Sequence, residues 1–431
     1  MSSIKKIKIS CDIKYSEKSI FPIINRKLYE FLNQIKSDIE QLDSKKWCFC
    51  RNLTNDYEYI CDKHPYFRKI PYTMTNFTLK NMNTNRISMY DNICSRSFFK
   101  LWEIFAYHKN KINIERDEPM ICVCLAEGPG GFIQSILENR CNKPTKIYGI
   151  TLRDGTQNTT KWNENIKKND KVILTYGDEK QNHDGDLMNS DIIRYFIDLV
   201  NSDDKADIVT ADGGYSVLDE DVNIKEQIHF PLFYNEVICA LGIQKKGGNF
   251  ILKVYDMFTL PTCQLFTLLS IYYKEVYITK PLTSRPANSE RYIVCLGFRG
   301  ISKKELMKLY KNCVIISEKG IRYKAILDGK KYIPKKNGLF VSSIFKDDYL
   351  NENIKDQIIY QNEKYIPFQI ERINQIIDLI KDMDHYELNG DIQSNSNIFQ
   401  YYENSQNIKA IEWCRRNLMP IDSEYNMNYY I

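Results

Sequence analysis

Between about residues 91 and 300, short apolar runs alternate with stretches of helical spacing, and several runs break off at a glycine or a carboxylate. Residues 121–125 are apolar and end in Glu127-Gly128-Pro129-Gly130-Gly131, and residues 132–138 then read as a helix. A run of that length bounded by glycines predicts a buried strand entering a tight turn. Further strands are expected at 146–152, 172–176, 207–210, 250–254, 276–278 and 292–296. Ile228, Leu232, Val237 and Leu241 fall near helical spacing, with Gly247-Gly248 expected to stop that helix, and Leu265, Leu268 and Leu269 mark another. Strands alternating with helices predict an α/β fold with a mainly parallel sheet covered on both faces. In such sheets ligands bind outside the carboxyl ends of the strands, which directs attention to Glu127, Thr151, Asp212 and Lys253.

The flanks differ. Residues 1–90 form an aromatic-rich, irregular N-terminal extension, 91–300 the sheet domain, and 301–431 a Lys/Asn-rich C-terminal extension, α+β or helical. There Ile370, Ile373, Ile376, Ile377 and Ile380 form an apolar helical stripe that reads as packing, whereas 390–407, rich in Asn, Ser and Gln, read as a loop. Lys and Arg number 60 against 55 Asp and Glu, a net charge of +5 that permits a nucleic-acid partner without demanding one. The opening MSSIKKIKIS lacks the apolar core of a secretory signal, and no window approaches a membrane-spanning length. The expectation is a cytoplasmic protein with no membrane partner, its 13 cysteines mostly reduced.

Several positions carry chemistry. Glycines at the turn after the first strand allow close approach to a ligand, and the following helix N-terminus offers N–H groups to an anionic cofactor. No Gly-Lys-Ser/Thr follows, which excludes a Walker loop, and no Gly-x-Gly-x-x-Gly supports a dinucleotide-dependent oxidoreductase. Asp186, in Asp184-Gly185-Asp186-Leu187, could accept from a ribose hydroxyl or an adenine amino group, or stand in a surface turn. Asp212 ends a buried strand in Ala211-Asp212-Gly213-Gly214. Lys253 lies inside an apolar strand, costly unless its charge is paired or reaches the strand end, and a buried lysine is a candidate general base. Glu290 enters the last strand, and Lys100 sits among aromatics on a helix ahead of the first. Cys48, Cys50, Cys61 and His64 supply four zinc-type ligands, but the tight Cys-x-Cys spacing favours plain thiols and a surface histidine. The nearby Trp47, Phe49, Tyr57, Tyr59, Tyr66 and Phe67 could stack on bases, although a small hydrophobic core is the preferred reading.

Taken in order, lysine, Gly-rich turn, aspartate, lysine and glutamate resemble the FtsJ/RrmJ superfamily of ribose 2′-O-methyltransferases. Thr210 to Gly214, Gly247 to Lys253, Lys280 to Ser284 and Asn288 to Glu290 look like its cap-specific, Adrift-type branch, which methylates capped mRNA and has similar chains in large cytoplasmic DNA viruses. The resemblance covers about residues 95–300 and implies a Rossmann-like methyltransferase sheet of about seven strands. It also implies S-adenosyl-L-methionine as cofactor, RNA (above all capped mRNA) as substrate, other capping or transcription proteins as partners, and packaging in a virion. Glu127, Gly128, Gly130 and Gly131 would line the cofactor site, with Asp186 near the adenine and Asp212 between cofactor and substrate. Lys100, Lys253 and Glu290 would surround the target ribose, completing a catalytic set with Asp212. Glu127 and Gly128 replace the residues most often found in the family's first motif. In-line methyl transfer requires no metal. Lys253 is expected to act as general base, which needs a pKa well below the reference of about 10.4. The alternative is a charged Lys253 that steers the hydroxyl. Ribosomal or other RNA as substrate, and a non-catalytic RNA-binding subunit, are the rival readings.

Overall fold

The computed structural model describes residues 12–61, 93–153, 161–214, 223–321, 325–328, 331–334, 339–389 and 392–419. Its centre is a seven-stranded sheet of β1 (Met120–Leu125), β2 (Thr145–Ile150), β3 (Val172–Thr175), β4 (Ala206–Ala211), β5 (Gln244–Tyr255), β6 (Tyr273–Thr279) and β7 (Glu290–Phe298). The strand order is β3-β2-β1-β4-β5-β7-β6, parallel except that β7 runs antiparallel to both neighbours. The expected α/β class, strand number and mostly parallel sheet are all present.

The strands read as unbroken apolar runs because both faces are covered, yet alternate residues serve different cores. Val123, Leu125, Val209, Ala211, Leu252 and Val254 belong to one cluster, and Cys122, Cys124, Ile208, Ile251, Tyr292 and Val294 to the other. Ten helices are labelled in chain order. From the N-terminal extension come α1 (Arg26–Ile39) and α2 (Ser44–Leu53). The sheet is flanked by α3 (Ser97–Tyr107), α4 (Gly131–Arg140), α5 (Ser190–Asn201), α6 (Lys225–Ile243), α7 (Leu260–Tyr272) and α8 (Lys303–Lys319). The C-terminal extension supplies α9 (Glu352–Leu388) and α10 (Ile392–Arg416). Helix α3 packs on α4 through the second core, whereas α5, α6 and α8 cover the first.

Three expectations need correction. The described part of the N-terminal extension, residues 12–61, is not irregular, since α1 and α2 bury Leu32, Ile35 and Cys50. Residues 392–407 are helical, because Phe399 and Tyr402, and farther on Ala410, Ile411, Trp413 and Cys414, give α10 apolar faces to bury. Gly247 and Gly248 do not stop a helix: α6 ends at Ile243, and both glycines lie within β5 where its register against β4 shifts, Gly247 at φ +84°.

The extensions share cores with the sheet domain. The short strand Lys14–Ser16 pairs antiparallel with Phe340–Ser343. The isoleucine stripe of α9 packs as expected: Ile366, Ile370 and Ile373 meet Leu32 and Ile35 of α1 and Phe258 just beyond β5, and Ile376 and Ile380 meet Cys50 of α2. Ile373→Ala should therefore lower the unfolding free energy by about 2–5 kcal/mol. In denaturant titration the sheet domain and the extensions should unfold in a single shifted transition. Loss of α9 in an early, separate step would show that they are independent.

Candidate active site

Where the order reverses between β1 and β4, the strand ends open a crevice, the usual ligand position in an open α/β sheet. Thr210 and Asp212, Ile251 and Lys253, Glu290 and Tyr292 all follow the alternation that serves the second core, the one α3 covers. The register sets Lys253 opposite Tyr292, with Ala211 beside Leu252. Four side chains distant in sequence are thereby brought to one place, and α3 adds Lys100.

Two ion pairs result. Lys253 Nζ lies 3.2 Å from Asp212 Oδ1 and donates to the Asp212 carbonyl oxygen at 2.6 Å. Lys100 Nζ lies 2.7 Å from Glu290 Oε1 and 2.9 Å from Oε2. Their side chains are only 9–14% exposed, so desolvation is large and the partners must be close. Burial pulls the Lys253 pKa down, but Asp212, Tyr255 and Glu290 outweigh it and hold the ammonium well above its ordinary value. Burial likewise raises Glu290, yet Lys100 and Lys253 hold its carboxyl well below the usual range.

Several participants carried no role in the sequence. The Tyr292 hydroxyl donates to Asp212 Oδ1 at 3.0 Å, and Ser284 Oγ donates to Glu290 Oε1 at 2.8 Å. Lys280 donates to Asn288 O, Asn288 Oδ1 and Glu290 O at 2.8, 2.8 and 2.9 Å, tying down the corner that presents Glu290. Burial pushes Lys280 down to about 7, against the pull of Glu290. Glu103, one turn after Lys100, accepts from Leu282 N at 2.7 Å, Thr283 N at 3.2 Å and Trp413 Nε1 at 3.0 Å. One helix thus places a lysine in the site and fixes the loop leading to its partner. The Lys-Pro-Leu-Thr-Ser run was visible in the sequence, but its bonds depend on loop closure.

On the cofactor side, Gly130 adopts φ +114°, a conformation that L side chains avoid, and the turn after β1 passes to α4 with no side chain at that point. The helix N-terminus differs from expectation. Glu127 turns inward and accepts from Phe132 N at 2.6 Å and Ile133 N at 3.4 Å, so its own carboxyl takes the N–H groups expected for a ligand. Burial pushes that carboxyl well above the ordinary range. Asp186 stands at the β2 end: Arg153 N donates to Asp184 O at 2.6 Å, and a Cβ on Gly185 would lie 1.8 Å from Thr151 O. Gly128 N donates to Thr151 Oγ1 at 3.1 Å. Gly128, Gly130, Gly131, Asp186 and Asp212 thus border the ends of β1, β2 and β4; Gly130 and Gly131 are buried against Ile166 and against Ser95 and Ser97, and Asp186 and Asp212 are partly exposed. That frame fits an elongated nucleoside bearing hydroxyl and amino donors.

Cys48 is exposed and Cys50 buried, its Sγ 3.5 Å from Met383 Sδ. The Cys61 side chain and His64 lie outside the described residues, among which no metal-holding group occurs. Trp47 and Tyr57 pack in hydrophobic clusters, Phe49 meets Phe399 edge-on, and the Tyr59 side chain, Tyr66 and Phe67 lie outside the described residues. No described helix is long and apolar enough to cross a membrane.

Residues 93–298 match the model of the FtsJ-like methyltransferases. The chain is 29% identical over 275 residues to cap-specific mRNA (nucleoside-2′-O-)-methyltransferase 1A of Caenorhabditis briggsae. It is 30% identical over 270 residues to cap-specific mRNA (nucleoside-2′-O-)-methyltransferase 1 of Homo sapiens. Each match covers 62% of this chain and 30% of the relative, so the chain aligns with under a third of their length. A solved Plasmodium falciparum protein described as a putative ribosomal RNA methyltransferase superposes with a TM-score of 0.33 at 22% identity, over 48% of this chain and 99% of that one. At that score it supports no conclusion about fold, which rests on the sheet order.

Because Glu290 is held below its unfolded-state pKa of about 4.3, the stability it contributes is present above that pH and lost as pH falls toward its folded value. Glu290→Gln should cost about 3–5 kcal/mol at pH 7, the scale of breaking a buried pair. The gap from the parent should narrow progressively below about pH 4.3 in urea titrations. A gap independent of pH would contradict the paired assignment.

Proposed function

We propose that this chain, whose residues 93–298 match the FtsJ-like methyltransferase model, transfers a methyl group to a ribose 2′-hydroxyl of RNA, near the 5′ cap of mRNA. The observation that carries this is the buried pairing of Lys253 with Asp212 and of Lys100 with Glu290 at the strand ends. The cap-specific relatives support the choice of substrate. S-adenosylmethionine supplies a methyl on a positively charged sulfur, already activated for displacement. The residues bordering β1, β2 and β4 would hold it, with Asp186 toward the adenosine and Asp212 toward the reacting centre.

The remaining work is positioning and the handling of one proton. Lys100, Glu290 and Lys253 would hold the target ribose, and Tyr292 and Ser284 fix the two carboxylates against rotation. The carboxylates hold Lys253 charged in the resting site. This favours the role in which the ammonium aims the hydroxyl and steadies negative charge growing on its oxygen. The general-base role instead requires the positive charge brought by the cofactor to bring Lys253 to neutrality.

Methyl transfer from labelled cofactor to capped and uncapped RNA, followed by nuclease mapping of the modified ribose, tests the assignment. Label on a 2′-oxygen near the cap is expected. Label on a base, or equal use of uncapped RNA, would overturn the site of transfer or the cap preference respectively. Lys253→Ala should lower the transfer rate by about 10²–10⁴-fold. A pH–rate profile separates the two roles, since a charged Lys253 gives no limb attributable to its deprotonation near neutrality, whereas a base gives a rising limb that Lys253→Ala abolishes.

A further inference from the structure

Three carboxylates at this strand end are paired with lysines: Asp212 with Lys253, Glu290 with Lys100, and Asp256 with Lys36 of α1 at 3.3 Å. A fourth, Glu226, is turned into the amides of Phe258 and Thr259 at 3.0 Å. Three further cations share the neighbourhood. Lys280 has its three oxygen acceptors. Arg291 has Asn362 Oδ1 at 2.8 Å and the Tyr365 ring at 5.2 Å. Lys225, in the first turn of α6, has only a ring: its Nζ sits 3.9 Å from the centroid of Tyr255, and among the described residues no carboxylate pairs with it.

The ring ties Lys225 to the reacting centre. Lys253 Nζ lies 5.7 Å from the same centroid. The Tyr255 hydroxyl and Lys253 Nζ converge on one point beside Gly214, 2.9 and 3.4 Å from where a Cβ would stand. Phe233 and His229 pack around Tyr255 at 6.0 and 4.8 Å, fixing the ring within reach of both ammonium groups. Burial, with the repulsion of Lys253 and against the pull of Asp256 and Glu290, pushes Lys225 down to about 8. A half-buried cation that is repelled by its neighbour gains most from an arriving anion. The face of an aromatic ring is a weaker partner for an ammonium than a bonded anion is.

We propose that Lys225, seated on Tyr255, binds an RNA backbone phosphate joined to the target ribose and so sets which nucleotide enters the site. This rests on the proposed transfer to a ribose: with that sugar against Lys253, a cation on the same ring is placed to meet a phosphate bonded to it. Lys225 is a positioning residue for the substrate, distinct from the lysines paired with carboxylates.

The full-length protein, its Lys225→Met and Lys225→Arg variants, and short capped RNAs test it. Each RNA carries a single uncharged methylphosphonate 5′ or 3′ of the mapped ribose, or none. RNA binding is followed by fluorescence anisotropy across salt concentrations, and S-adenosylhomocysteine binding by calorimetry. Lys225→Met should weaken RNA binding about tenfold and lower the salt slope by about one. Its loss should fall on KM for RNA more than on kcat. Lys225→Arg should recover most of the affinity. S-adenosylhomocysteine binding at the parent's affinity establishes that Lys225→Met is folded. On one of the two methylphosphonate RNAs the parent should bind as weakly as Lys225→Met, with no further loss in the variant. Parental RNA affinity and salt slope in Lys225→Met, or a full additional loss on both methylphosphonate RNAs, would overturn the assignment. If the parent transfers no methyl group to RNA, the function fails instead, a result separate from the binding data.

Discussion

Desolvated charge at the strand ends is the constraint on which the rest of this structure depends. Four ionisable groups sit almost out of water at the end of a sheet whose own residues are apolar. Such groups are tolerated only when every charge has a partner at bonding distance. Each partner comes from a different element: Asp212 after β4, Lys253 on β5, Glu290 at the start of β7 and Lys100 on α3. The sheet register and the seating of α3 are thereby coupled to the site, and a shift of one residue in any strand would turn its charged member into the opposite core.

The flanking regions enter through the same network. Lys36 of α1 pairs with Asp256 just past β5, Asn362 of α9 accepts from Arg291 on β7, and Trp413 of α10 donates to Glu103 on α3. These bonds support the strands and helix that carry Lys253, Glu290 and Lys100. The extensions are therefore part of the scaffold that aims the site. Their share of the apolar core explains why residues outside the family-matched stretch pack without a break against it.

Much of this was legible in the sequence. Apolar runs ended by glycine or aspartate identified the strands, because a buried parallel strand must be apolar on both faces and must end where a ligand crevice begins. Lys253 stood out as a charge inside such a run. The errors arose where local composition and packing disagree. The polar bias of α10 hid apolar positions that needed a partner helix before they counted, and Gly247-Gly248 served a register shift within a strand. Glu127 was expected to line a cofactor site, but its capture of the α4 amides follows from an inward rotamer that no sequence pattern encodes.

The sequence by itself determined the α/β class, the strands that would carry the site, and the identity of its four charged residues. Residue type and period are local properties, and they suffice for the fold class, the strands, Asp212 and Lys253; the places of Glu290 and Lys100 were implied by the resemblance to the ribose 2′-O-methyltransferases. Only the tertiary structure decided which charge pairs with which, that Lys253 rests charged, that Tyr292, Ser284 and Lys280 hold the carboxylates in place, and that Lys225 stands on Tyr255 with no carboxylate of its own among the described residues. Pairing, desolvation and pKa depend on distances of a few ångströms between residues far apart in the chain. Those distances exist only once strand register, loop closure and helix docking have been set.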